Sequence, residues 1–275
     1  RMTDVDARVD QHDLETPDSV QVRFGIEYLE SQPDDATAVL SMPMEQFRNP
    51  FTGAPTIGPL AILVDAAGGI VNHYRRHTDQ WTVSSELSVE LSTDDLGDLD
   101  GPVLASARTL GPRGATSLSI CTLTYRGTVI GGGTVRSFFI PAEGVLPQRH
   151  PETLRRSAET TLSDLMAVHV RPGDDSVLAQ RADPNLNNDI GIVHGGVAAA
   201  GLELAASAAA NRDRFDSLLQ TASLKVNFLR PFFAGAGSRY EGTSLRIGRR
   251  TAVGDAQAIG DDGKLAITAR VTAYG

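Results

Sequence analysis

The sequence predicts an α+β protein made of two copies of one unit, each a long helix packed against an antiparallel sheet. Three observations carry this. Landmarks recur at a near-constant offset: Gly58 and Asp65 return 138 residues later as Gly196 and Glu203, and LGPRGA (110–115) returns as IGRRTA (247–252) at an offset of 137. Such self-similarity marks a repeated structural unit. Each acid lies in a nearly uncharged run, TIGPLAILVDAAGG (56–69) and DIGIVHGGVAAAGLELAAS (189–207). Each run is followed by alternation of strand period: Trp81, Val83, Ser85, Leu87, Val89 and Leu91 in the first copy, Ala222, Leu224, Val226 and Phe228 in the second.

Taken in order, the polar, acidic opening (1–19) reads as a flexible segment without the charged-then-apolar order of a signal peptide. Residues 20–43 and 161–182 supply the leading strands of the two units, 20–140 and 161–275. Their long helices are expected at about 57–76 and 193–212, each followed by about four strands. The last strands pair as hairpins, SICTLTYRGTVIGGGTVRSFF in the first unit and AQAIGDDGKLAITARVTAY in the second, where Asp-Asp-Gly marks the turn. Residues 141–160, with three prolines and many charges, read as a linker. The two sheets are placed to pair edge to edge.

Composition narrows the function. The net charge of −9 argues against a general nucleic-acid binder. A single cysteine excludes an internal disulfide and fits a reducing, cytoplasmic compartment; Cys121, inside a strand pattern, reads as a core residue. No run is long and apolar enough to predict a membrane span. No cysteine–histidine metal spacing and no G-x-S-x-G elbow occurs, so neither metal nor cofactor is expected.

The run N-x-x-G-x-x-H-G-G, at Asn188, Gly191, His194, Gly195 and Gly196, with an acid further along the helix, resembles the hotdog-fold acyl-CoA thioesterases of the phenylacetate-pathway (PaaI-like) type. The F-L-R-P strand ending and the G-R-R hairpin resemble the same family. The resemblance covers the second unit nearly end to end and the first more weakly, which implies a tandem double hotdog. It also implies hydrolysis of acyl-CoA to free acid and CoA, with no cofactor.

Thioester hydrolysis needs a polarised carbonyl and an activated attacker. A helix N-terminus offers free N–H groups and positive potential to an oxyanion, and glycine lets a substrate approach. A carboxylate then activates water or attacks directly. Seven helical residues span about 10 Å, so an acid cannot serve a carbonyl held at the start of its own helix. With the helices antiparallel, as the resemblance implies, two composite sites follow. One joins Asn188, His194 and Gly195 to Asp65 and Ser84. The other joins the start of the first helix to Glu203 and Thr221, and is degenerate: Thr56-Ile57-Gly58 replaces His-Gly-Gly, and Pro50 stands where the repeat requires asparagine, with Asn49 beside it.

Several residues carry two readings. His194 either fixes the loop before the helix or transfers a proton. Gly195 and Gly196 serve packing, substrate access or both. Asn188 holds a turn or meets substrate. Ser84 aligns with Thr221, whereas strict alternation puts Ser85 on the inner face. Arg230, Arg246, Arg249 and Arg250 are candidates for CoA phosphates or a solvated basic face. A non-catalytic acyl-CoA-binding hotdog is an alternative function. An acyl-thioester hydratase is disfavoured, because the position where such enzymes carry histidine holds Asp189, and Phe51 in the first unit. The tandem chain is a candidate for further self-association.

Overall fold

The computed structural model describes residues 17–93, 98–143 and 149–275. Most of the expected flexible segment (1–16) and part of the linker (144–148) lie outside the described residues. The N-terminal unit runs α1 (Ser19–Phe24), β1 (Glu27–Gln32), β2 (Thr37–Glu45), α2 (Leu60–His73), β3 (Gln80–Leu91), β4 (Asp100–Leu110), β5 (Thr116–Tyr125) and β6 (Thr128–Pro141). The C-terminal unit repeats this: α3 (Leu162–Met166), β7 (Val168–Val170), β8 (Val177–Gln180), a 3₁₀ turn (Pro184–Leu186), α4 (Gly195–Ala210), β9 (Gln220–Phe228), β10 (Arg239–Ile247), β11 (Thr251–Ile259) and β12 (Leu265–Tyr274).

Two expectations need correction. Neither unit opens on a strand, because each begins with a short helix fixed by a reciprocal capping box. Asp18 and Gln21 form one, Thr161 and Asp164 the other. The segment after Pro141 is also more than a spacer. Glu152 forms an ion pair at 2.7 Å with Arg23, whose side chain is buried and also bonds the Leu165 carbonyl and Asp183. Asn185 donates to the carbonyls of His150 and Pro151, so the connection is stitched to both units.

All twelve strands form one antiparallel sheet in the order β1-β2-β4-β5-β6-β3-β9-β12-β11-β10-β8-β7. The units join where β3 pairs β9, from Glu86 opposite Asn227 to Glu90 opposite Ser223. Alternate side chains of each half-sheet are buried against that half's helix. The two long helices meet antiparallel in the centre. A Cβ on Gly196 would stand 2.7 Å from the Ile62 Cα, and one on Gly58 would stand 3.4 Å from the Ala200 carbonyl oxygen. These paired glycines let the backbones approach, and they bring the start of each helix beside the acid of the other.

Candidate active site at the helix crossing

Asp65 lies on α2, 8% exposed, with both carboxylate oxygens engaged from opposite sides. The Gly196 N–H, on the first turn of α4, donates to Oδ2 at 3.1 Å, and the Ser84 hydroxyl donates to Oδ1 at 3.0 Å. The carboxylate therefore belongs to the helix end of the other unit, as the two-turn distance required. Glu203 bonds elsewhere, to Thr221 and Thr56.

His194 is the N-cap of α4. Its Nδ1 accepts the Gly196 N–H at 3.0 Å and lies 3.6 Å from Asp65 Oδ2. An accepting Nδ1 puts the ring proton of the neutral imidazole on Nε2. The two glycines divide their work. Gly196 permits the helix crossing. Gly195 is half-exposed on the cavity, and among the described residues its N–H has no hydrogen-bond partner. A Cβ there would lie 3.2 Å from Asp65 Oδ2 and 3.3 Å from the Phe228 ring.

Asn188 shapes the preceding loop: its Oδ1 accepts the N–H groups of Ile190 and Ile192. Its side chain also lines a cavity of about 570 Å³ together with Asp65, Ser84, His194, Gly195 and Arg230. That volume is in the range of small-molecule sites.

Ser84, rather than Ser85, reaches the acid. A β-bulge between Ser84 and Glu86 shifts the pairing of β3 with β6, so Ser84 shares the inner face with Leu87 and Val89, while Ser85 bonds the Arg136 carbonyl. The equivalent bulge between Thr221 and Ser223, opposite β12, turns Thr221 toward Glu203. Of the four arginines, Arg230 lines the cavity. Arg246, Arg249 and Arg250 sit on the β10–β11 hairpin at the opposite end of α4, where Arg214 bonds the carbonyls of Gly248 and Arg249.

The cavity's outer wall has no signature in the local sequence. Asp18, Gln21 and Tyr28, from α1 and β1, line it, as do His73 and Trp81. Burial raises the Asp18 carboxyl above its ordinary range. Among the described residues, no cluster of three His, Cys, Asp or Glu is placed to hold a metal, and no helix is long and apolar enough to cross a membrane.

The second crossing keeps the hydrogen-bond skeleton and loses the space. Thr56, in the turn before α2, accepts the Gly58 N–H at 3.0 Å and donates to Glu203 Oε2 at 3.0 Å, while α2 itself starts after Pro59 without a side-chain cap. Thr221 donates to Oε1 at 2.8 Å. Ile57 replaces Gly195 and is buried. Asn49 repeats only part of the Asn188 role: its Oδ1 accepts the Phe51 N–H, but its Nδ2 turns inward to the Leu204 carbonyl and the Ser207 hydroxyl. About 30 Å³ is left, room for little more than one water. Desolvation in this closed space raises the Glu203 carboxyl.

Residues 190–267, from the loop before α4 to early β12, match the family model of the thioesterase superfamily. Solved structures match over nearly the whole length. An acyl-CoA thioesterase II from Mycobacterium marinum aligns with a TM-score of 0.59 at 13% identity, over 93% of this chain and 96% of its own. An acyl-ACP thioesterase from Bacteroides thetaiotaomicron aligns with a TM-score of 0.55 at 12% identity, over 89% and 100%. The 12:0-ACP thioesterase from Umbellularia californica aligns with a TM-score of 0.56 at 10% identity, over 87% and 94%. The chain is a double hotdog. At such identities the alignments establish the fold and its two-unit span, and the double hotdog's chemistry rests on its own residues. No curated protein sequence matches the chain.

Proposed function

We propose that this double hotdog hydrolyses acyl-CoA thioesters at one site shared by its two halves. The observation that carries the reading is the pairing, across one cavity, of the Asp65 carboxylate with the unpartnered Gly195 N–H. The thioester carbonyl oxygen accepts the Gly195 N–H, and the positive end of α4 favours the charge that develops there. Asp65, oriented by Ser84 and Gly196, takes a proton from water as it attacks, or attacks the carbonyl itself to give an anhydride that water then hydrolyses. Collapse of the tetrahedral intermediate expels the CoA thiolate. His194 is a positioning residue here, since its Nδ1 is occupied by the Gly196 N–H. Arg230 suits a phosphate of the CoA arm.

The thioesterase-superfamily match over residues 190–267 supports this reaction class. Nothing in the cavity selects the phenylacetate-pathway type, and a carrier-protein thioester presents the same carbonyl. The test is thiol release from acyl-CoA substrates by the purified chain. Turnover that is lost in Asp65→Asn supports the reading. Binding of acyl-CoA without turnover favours the non-catalytic alternative.

A further inference from the structure

Gly69 is a helical glycine without a packing reason. It lies one turn beyond Asp65 on α2, on the same face. Its neighbour Gly68 is forced: a Cβ there would stand 2.6 Å from Val135 Cγ2. A Cβ on Gly69 would meet nothing within 4 Å, and its backbone is ordinary helix. Glycine inside a helix is destabilising relative to alanine, so this residue is kept against local stability. What lies in front of it is the cavity, which Gly69 lines. In an otherwise buried helix, only Gly69 and Ile70 are partly open.

The helix crossing shows where this space leads. Because α2 and α4 are antiparallel and cross near Ile62 and Gly196, the stretch of α2 after Asp65 runs on past the N-terminus of α4. It continues for two turns, about 12 Å, to His73. There His73, whose Nδ1 lies 2.6 Å from Thr82 Oγ1, and Trp81 also line the cavity. The wall between is largely apolar, with Ile70, Val83, Phe138 and Ile140. The closed crossing supplies the internal control. The repeat places Ser207 opposite Gly69, and Ser207 carries a side chain that receives Asn49 in the small space there.

Resting on the thioesterase reading, we infer that Gly69 is the specificity-determining position of the open site, admitting an unbranched, apolar acyl chain of medium length down the face of α2. A side chain at 69 shortens the chamber at its first turn. It discriminates against long acyl groups more than against acetyl.

The wild type, Gly69→Ala and Gly69→Leu are compared on acetyl-CoA and octanoyl-CoA by thiol release, and on the octyl thioether of CoA by calorimetric affinity. The octanoyl-to-acetyl ratio of kcat/KM is expected to fall at least about tenfold in Gly69→Leu and less in Gly69→Ala. Thioether affinity is expected to fall in parallel. Gly69→Ala should melt about 2–4 °C above the wild type, which separates lost access from lost folding. An unchanged ratio in a folded Gly69→Leu overturns the gate and leaves the thioesterase reading standing. If the wild type releases no thiol, the hydrolytic reading fails and thioether affinity alone decides. Weaker binding in Gly69→Leu then supports the gate, and equal binding, or none by the wild type, overturns it.

Discussion

The two helix crossings are built on one plan and end in opposite states. Each has a side chain two residues before the paired glycine accepting that glycine's N–H, an acid from the other helix, and a hydroxyl from a bulged strand on that acid. What differs is volume. Around Asp65 a glycine N–H opens onto about 570 Å³, whereas around Glu203 Ile57, Asn49 and Ser207 leave about 30 Å³. A polar skeleton retained without its cavity shows that these hydrogen bonds also serve the helix crossing. The open space in front of them is what sets the Asp65 crossing apart.

Neutralising each acid in turn should separate the two crossings most strongly. Asp65→Asn should lower kcat by about 10² or more with near-ultraviolet circular dichroism unchanged, since it removes the general base or nucleophile. Equal loss from Glu203→Gln would place the chemistry at the wrong crossing.

The hydroxyl pair gives a smaller contrast. Ser84→Ala should cost roughly tenfold in kcat by freeing the Asp65 carboxylate on one side, while Thr221→Ala should leave kcat within about twofold and lower stability by about 1 kcal/mol. Urea denaturation read beside turnover separates the two effects.

The smallest effect concerns pH. Burial raises the Glu203 carboxyl, so the folded state holds that proton more tightly than the unfolded chain. Its ionisation therefore destabilises the fold as pH rises above the ordinary glutamate value of about 4.3. Glu203→Gln lacks that cost. Its melting temperature should exceed the wild type's most at pH 8, with the difference shrinking as the pH is lowered to 4. A difference constant across that range would show that Glu203 does not titrate differently in the folded state.

Much of this was legible in the sequence because it depends on spacing. The repeat placed both long helices, and the seven-residue separation set each acid away from the start of its own helix and beside the start of the other. Phase was harder. The bulge at Ser84–Glu86 inserts a residue that alternation cannot register, so Ser85 looked as eligible as Ser84. The short opening helices were signalled by their capping boxes, Asp18 with Gln21 and Thr161 with Asp164, yet their β-rich surroundings read as strands. The cavity wall from Asp18, Gln21 and Tyr28, and the removal of Arg246, Arg249 and Arg250 to the far end of α4, follow from tertiary placement. No local pattern encodes it.

The proposed reaction needs one carbonyl-binding site, shared between the units. A crystal structure of the Asp65→Asn variant with octanoyl-CoA tests it most directly. One acyl-CoA per chain is expected, its thioester oxygen within about 3 Å of the Gly195 nitrogen, and its acyl chain along Gly69. A thioester bound beside Glu203, or in the open cavity with its carbonyl turned away from Gly195, would contradict it.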